Sequence, residues 1–343
     1  MKISKMPGFG SYGTIITDFD WNDPESYQQL KTVNLQSLVT VVKNNTDQFD
    51  NVAKHFHNVI TTRPYQFKWY SKYGADWRPQ VTEHDIATAK YTEYLALGSQ
   101  YPGWSRLTAK KDEHGKFIGA LTDDTLDWHV DESGAVEFAP LIALYGMNNM
   151  QVSCTSFLQT ADWYEKQTGS FQSELDSLVA EFAWDDSKLR PERANKEQED
   201  LIKLVQMPRE TGEVPLVVVS PGGIKGIRYS KLITKFKDVS DQDTKSILTK
   251  IENEIFVPEY SYDYWWENNT GDLVLFDQSV TLHTRKLKPG ADVTAEYSKR
   301  LAHKIFGDYA GMLNYKPFEQ EPYRSRRTAD MKCLAKMVAD LKK

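Results

Sequence analysis

Trp128-His129-Val130-Asp131 and, far downstream, Leu282-His283-Thr284-Arg285 are the two stretches whose reading decides how this chain folds. Two imidazoles and one carboxylate form the donor set of a facial metal site that holds Fe(II) and leaves coordination positions open. Along a strand successive side chains alternate, so residues two apart point the same way. Asp127, His129 and Asp131 are therefore expected on one face of a strand, with Trp128 and Val130 on the other. A third ligand from a strand distant in sequence meets them inside a β-barrel. His129, Asp131 and His283 are the candidate metal ligands, and Arg300 further on is a planar cation suited to anchoring a carboxylate. A His-x-Asp pair alone usually lies on a solvated surface, so its weight rests on the segments around it.

Composition excludes several classes. A chain of 343 residues is enough for one large domain or two small ones, with a substantial core. A net charge of −6 offers no basic field for nucleic acid. Cys154 and Cys333 are the only cysteines and make no disulfide framework; Cys154, in an apolar stretch, reads as a small core residue rather than a nucleophile. The N-terminus lacks the apolar run of a signal peptide, and no segment reaches transmembrane length. Asn44-Asn45-Thr46 and Asn268-Asn269-Thr270 are then accidental sequons, and a cytoplasmic protein is expected.

Gly8-Phe9-Gly10-Ser11-Tyr12-Gly13 spells GxGxxG, which binds a dinucleotide only as a turn between a buried strand and a helix. Here Thr14-Ile15-Ile16-Thr17 follows and reads as a strand, so a turn entering a first strand is expected. Asp23-Pro24 starts a helix, Leu38 to Val42 reads as a buried strand, and Phe49, Val52, Phe56 and Val59 recur at helical spacing. Thr82 to Asp85 resembles a capping box before a helix that runs to about Gly98. Further strands are expected around 106–108, 117–118, 140–145, 152–157, 216–219, 227–229, 273–276 and 300–306. Helices are expected around 161–166, along Phe171, Leu175, Leu178 and Phe182, and along Ile247, Leu248, Ile251 and Ile255. Residues 185–213 are charge-rich, either a solvated insertion or a lid. A C-terminal helix over about 328–343 carries an apolar stripe that fits packing on the domain or on a second copy of the chain, with little drive toward a membrane. No linker divides the chain, so one domain over 1–343 is expected, mainly β with flanking helices around a jelly roll.

The stretches IGALTDDTLDWHVDESG (118–134), PLVVVSPGGIKGIRYS (215–230), GDLVLFDQSVTLHTR (271–285) and RLAHKIFGD (300–308) resemble, in this order, segments of the taurine dioxygenase family of Fe(II)/2-oxoglutarate-dependent oxygenases. Where the family commonly has His-Pro, this chain has Ser220-Pro221. The resemblance spans about residues 5 to 310. It implies a double-stranded β-helix core, with a long, partly helical insertion around 160–214. It also implies Fe(II) on His129, Asp131 and His283, with 2-oxoglutarate and O2 as co-substrates and succinate and CO2 as products. Arg300 would take the distal carboxylate of 2-oxoglutarate, with Thr155 as its hydroxyl partner (Ser156 as rival) and Arg285 beside the metal or co-substrate. Related halogenases replace the carboxylate ligand by a small residue; Asp131 favours hydroxylation of an unactivated C–H bond, with desaturation or oxidative cleavage left open.

Alternation along the last strand puts Arg300, Ala302, Lys304 and Phe306 on one face and Leu301, His303 and Ile305 on the other. Relatives often carry a second arginine four residues after the first, touching an anionic substrate; Lys304 stands there. Thr125 and Glu132 join it as substrate candidates by position. Two alternatives share part of the pattern: a nucleic-acid demethylase, opposed by the acidic charge, and a non-catalytic cupin-like metal protein, which needs no Arg300 in its barrel. The expected partner is a small molecule, with neither nucleic acid nor membrane.

Overall fold

The structure is a computed structural model and describes residues 1–44, 46–56, 104–108, 110, 113–114, 126–131, 139–182, 213–267, 271–290 and 299–307. Its strands run β1 Lys2–Lys5, β2 Thr14–Thr17, β3 Val39–Val42, β4 Ser105–Leu107, β5 Leu126–His129, β6 Leu141–Asn148, β7 Ser153–Gln159 and β8 Val179–Phe182. They continue with β9 Val214–Pro215, β10 Val217–Val219, β11 Lys225–Ile227, β12 Ile233–Phe236, β13 Ser261–Trp265, β14 Leu273–Asp277, β15 Thr281–Leu287 and β16 Leu301–Gly307. The described helices are α1 Pro24–Ser37, α2 Phe49–Phe56, α3 Ala161–Glu165, α4 Gly169–Ser177 and α5 Asp241–Ile255.

Why β14 opens on an unbroken apolar run (LVLF, before Asp277) is clear from its place. It lies inside a seven-stranded sheet of order β1-β2-β3-β14-β6-β16-β4, antiparallel except for the β2–β3 pair. Both of its faces are covered, so neither parity of side chain meets water. Leu273 and Leu275 pack with Leu141, Ala143, Tyr145 and Ile305 against Tyr27 and Leu30 of α1 and Phe49, Val52 and Phe56 of α2. Val274 and Phe276 point the other way, with Ile142, Leu144 and Ala302, onto Phe157, Tyr264 and Trp266. Those last residues belong to, or directly follow, a four-stranded sheet of order β13-β7-β15-β5. Two sheets thus face each other, and the candidate ligands His129 and His283 lie on adjacent strands of the smaller one. The outer face of that sheet, through Leu158 and Leu282, is closed by α5 (Ile247, Ile251, Ile255) and by Phe182, Val214 and Phe236 of the three-stranded sheet β12-β8-β9.

Local signals fix the helix starts. The Asp23 carboxylate accepts from the backbone N–H of Glu25 and Ser26, with Pro24 at the first helical position. Ser240 caps α5 by accepting from the Asp243 N–H. The Gly8–Gly13 segment is a turn closed by Met6 N–H on the Gly13 carbonyl (2.9 Å) and leads into β2, not into a helix.

Two expectations need correction. The stripe Phe171, Leu175, Leu178, Phe182 is not one helix: α4 ends at Ser177, Leu178 caps it in extended conformation, and Phe182 lies in β8. Strand alternation does not carry Asp131, because β5 stops at His129 and Asp131 sits in a turn. The expected helix over 82–98, the 117–118 strand, the charge-rich 185–212 segment and the C-terminal helix fall outside the described residues. No helix among the described residues is long and apolar enough to cross a membrane.

Candidate metal centre

β5 and β15 run antiparallel with His129 directly opposite His283, so the two imidazoles meet across the ladder at a ring separation of 4.2 Å. Both are on the inward face: Leu282, next to His283, points to the outer cluster, and the His283 ring packs on Phe276 at 4.8 Å. The turn after β5 brings the Asp131 carboxylate between them. One oxygen lies 3.8 Å from His129 Nε2 and the other 3.5 Å from His283 Nε2. One donor atom from each residue falls within 4.8 Å of the others.

The His129 tautomer follows from its partner. Its Nδ1 lies 2.6 Å from the Asp127 carbonyl, which can only accept, so Nδ1 carries the hydrogen and Nε2 presents its lone pair inward. This is the arrangement in which a metal-binding imidazole is fixed by a backbone acceptor. The donor set, two imidazoles and one carboxylate, suits a divalent first-row metal with open positions.

Lys304, from β16 of the opposite sheet, is buried and its ammonium donates to the Asp131 carboxylate. Burial alone would raise the Asp131 carboxyl, but the Lys304, His283 and His129 charges overturn that effect and hold it well below the usual carboxylate range. Lys304 thus reaches the same space as the ligands, as its parity predicts. His303, one residue earlier, points to the other side of the sheet and packs against Phe49 (4.4 Å).

Arg300 precedes β16, and the pairing with β6 shifts register between Leu301 and Ala302, so strand parity does not determine its direction. It is placed by bonds instead. Its carbonyl accepts from Thr108 Oγ1 (2.5 Å) and its Nε donates to Ser153 Oγ (2.9 Å) at the start of β7. Arg285 and Thr155 are cross-strand neighbours on β15 and β7, both buried. Thr155 shares the inward parity of Phe157 and accepts from Trp266 Nε1 (3.1 Å), whereas Ser156 faces outward and donates to Asp263. The alternation therefore separates the two rival hydroxyls. Thr125 and Glu132 lie outside the described residues.

Two further buried groups are not among the sequence candidates, and one of them touches the site. Asp272 reads as a turn residue but is buried, accepting from Asn44 N–H (3.0 Å) and from Tyr264 Oη (2.6 Å). Gln278, between β14 and β15, accepts from the Asp131 backbone N–H at 2.9 Å. A polar residue between two apolar runs signals a turn, and sequence carries no sign that the turn is buried.

Comparison with protein-family models and with curated proteins gives no match. Solved structures do match. A taurine dioxygenase from Burkholderia xenovorans is similar over 89% of this chain and 90% of its own, with a TM-score of 0.59 and 14% identity. AAD-2, solved in complex with Mn(II) and N-oxalylglycine, is similar over 89% of this chain and 97% of its own, with a TM-score of 0.53 and 14% identity. At that identity the likeness is one of fold: this chain has the sheet architecture of those dioxygenase structures.

Proposed function

We propose that this chain is an Fe(II)- and 2-oxoglutarate-dependent dioxygenase of the taurine dioxygenase type, acting on a small molecule from a double-stranded β-helix core. The observation that carries the reading is the convergence of His129, Asp131 and His283, inside 4.8 Å of one another, between two sheets whose fold matches dioxygenase structures. The neighbour solved with Mn(II) and N-oxalylglycine, an amide isostere of 2-oxoglutarate, supports the same metal and co-substrate classes here.

His129 Nε2, His283 Nε2 and one Asp131 oxygen would hold Fe(II) on one face. Bound Fe(II), with 2-oxoglutarate and O2, supplies the oxidising chemistry that hydroxylates an unactivated C–H bond and releases succinate and CO2. The chain's own residues bind, orient and exclude water. Arg300, buried and fixed through Ser153, presents a planar guanidinium to the distal carboxylate of 2-oxoglutarate. Thr155 offers a hydroxyl beside it, and Arg285 adds a second buried cation on the neighbouring strand. Phe157 and Phe276 make a dry floor under His283. Lys304, paired with Asp131, brings a cation from the opposite sheet, and a substrate carboxylate or sulfonate would share it.

Anaerobic protein titrated with Fe(II) and 2-oxoglutarate should develop a weak visible charge-transfer band. In air it should release succinate, stimulated by anionic members of a panel of sulfonates, carboxylates, amino acids and betaines. His129→Ala, Asp131→Ala and His283→Ala should each lose the band and the turnover; full activity in Asp131→Ala would sink the assignment. Stimulation by neutral or cationic compounds alone, undiminished in Lys304→Met, would remove the anionic-substrate part and leave the chemistry standing.

A further inference from the structure

Gln278 has no exposed surface, yet it sits in the turn between β14 and β15 where a polar side chain would ordinarily reach water. Its amide is used at both ends. Oε1 accepts from the backbone N–H of Asp131 (2.9 Å), and Nε2 donates to the carbonyl of Ala139 (2.5 Å). Its own backbone N–H donates to the Pro140 carbonyl (2.8 Å). The amide has one workable orientation, since flipping it would set NH2 against an N–H and oxygen against a carbonyl. One side chain therefore ties together the residues on either side of positions 132–138, at the point where the carboxylate ligand leaves β5. The same turn leads directly into β15, which carries His283. It is anchored in turn by Asp277 N–H on the Leu38 carbonyl (2.7 Å) and by Thr160 N–H on the Val280 carbonyl (3.0 Å).

Asp131 lacks what holds the two histidines. They are fixed by the β5–β15 ladder, whereas Asp131 lies beyond the end of its strand. A ligand on a turn needs its backbone fixed by something else, because small displacements of a donor cost metal affinity.

We propose that Gln278 is a positioning residue of the metal centre: by clamping Asp131 N–H and Ala139 C=O to the turn before β15, it sets the carboxylate against His283. This rests on the metal-binding reading above and assigns Gln278 no contact with metal or substrate.

The test is Mn(II) affinity by calorimetry, with the Co(II) ligand-field spectrum as a second readout, on folded wild type and three variants. Gln278→Met keeps length and volume but removes both hydrogen bonds. Gln278→Asn keeps the amide but is one methylene short of spanning its two anchors. Val280→Ala trims a buried side chain of the same turn and leaves the amide intact. Both Gln278 variants should bind Mn(II) about ten- to a hundredfold more weakly, the usual cost of losing a group that orients a metal ligand. Their Co(II) spectra should differ from wild type. Val280→Ala should lower the thermal midpoint but leave affinity and spectrum unchanged. Wild-type affinity in whichever Gln278 variant folds overturns the proposal, as does equal weakening in Val280→Ala or failure of both Gln278 variants to fold. A wild type that binds no Mn(II) overturns the metal reading itself, which is a different result.

Discussion

Two buried titratable residues oppose each other in their effect on stability. Burial pushes the Asp277 carboxyl up to about 6, partly offset by hydrogen bonds from Ser279. Burial pushes His303 down to about 4, with Arg106 adding to that and Asp47 opposing it. The signs follow from which state binds more protons. Unfolded Asp277 ionises near 3.8 and the folded form only near 6, so its stabilising contribution is complete below about pH 4 and is lost as pH rises to 6. Unfolded His303 takes a proton near 6.5 and the folded form only near 4, so its contribution is complete above 6.5 and is lost as pH falls to 4. Between pH 4 and 6 the two slopes oppose. Asp277→Asn should therefore make stability rise more steeply with pH than in wild type, and His303→Leu should make it fall. Each change should be on the order of 2 kcal/mol across the window. Urea midpoints at pH 4, 5 and 6 check this; parallel profiles for all three proteins would rule it out. Sequence alone showed neither group's burial. Alternation reads His303 as a structural residue facing away from the site, and Asp277 as a residue that orients a neighbour by hydrogen bond; the depth of their burial depends on α2 and the β14–β15 turn, which distant contacts place.

Elements whose signals are local were legible, and those set by distant contacts were not. Asp23-Pro24 and Ser240 announce α1 and α5 because a cap satisfies orphan N–H groups within one turn. The apolar runs of β6 and β14 read correctly because central strands bury both faces. Phe182 misled because its spacing from Leu178 fits a helix, while the pairing of β8 with β12 and β9 claims it for a strand. Asp131 misled in the same way: i and i+2 share a face only while the strand lasts, and β5 ends one residue after Trp128. His129 and His283 were found because ladder register, unlike a turn, preserves the alternation that sequence displays. The helix α5 gives the matching energetic prediction. Ile251 has no exposed surface and packs against the outer face of the sheet that carries both histidines. Ile251→Ala should cost roughly 2–5 kcal/mol, measured by urea unfolding of metal-free protein. Because α5 lies on the far side of that sheet from the centre, Mn(II) affinity of the folded variant should stay within about twofold of wild type. A large affinity loss would mean that sheet position, and not only ligand identity, depends on this helix.

Across the whole molecule the candidate site is divided between two layers. The histidines, Arg285 and Thr155 belong to the four-stranded sheet, while Lys304 belongs to the seven-stranded one and Arg300 leads into it. The metal ligands alone do not bridge the layers, since both histidines share one sheet and Asp131 leaves from its edge strand. An anion chelated at the metal and held at its far end by Arg300 would bridge them, adding to the bond that Arg300 already makes to Ser153. A ligand that binds only the folded state raises stability by RT ln(1 + [L]/Kd), about 2.7 kcal/mol at a hundredfold excess over Kd. Mn(II) should therefore raise the thermal midpoint, and 2-oxoglutarate added to the Mn(II) protein should raise it again. In Arg300→Ala the metal increment should persist and the 2-oxoglutarate increment should largely vanish, because removing one partner of a buried charge pair costs about 2–5 kcal/mol. That corresponds to a loss of co-substrate affinity of about thirtyfold or more. Differential scanning fluorimetry of metal-free, Mn(II) and Mn(II)/2-oxoglutarate forms separates the two steps. If the 2-oxoglutarate increment survives in Arg300→Ala and disappears in Arg285→Ala, the anchor is the cation on β15, and the co-substrate lies along one sheet rather than across both.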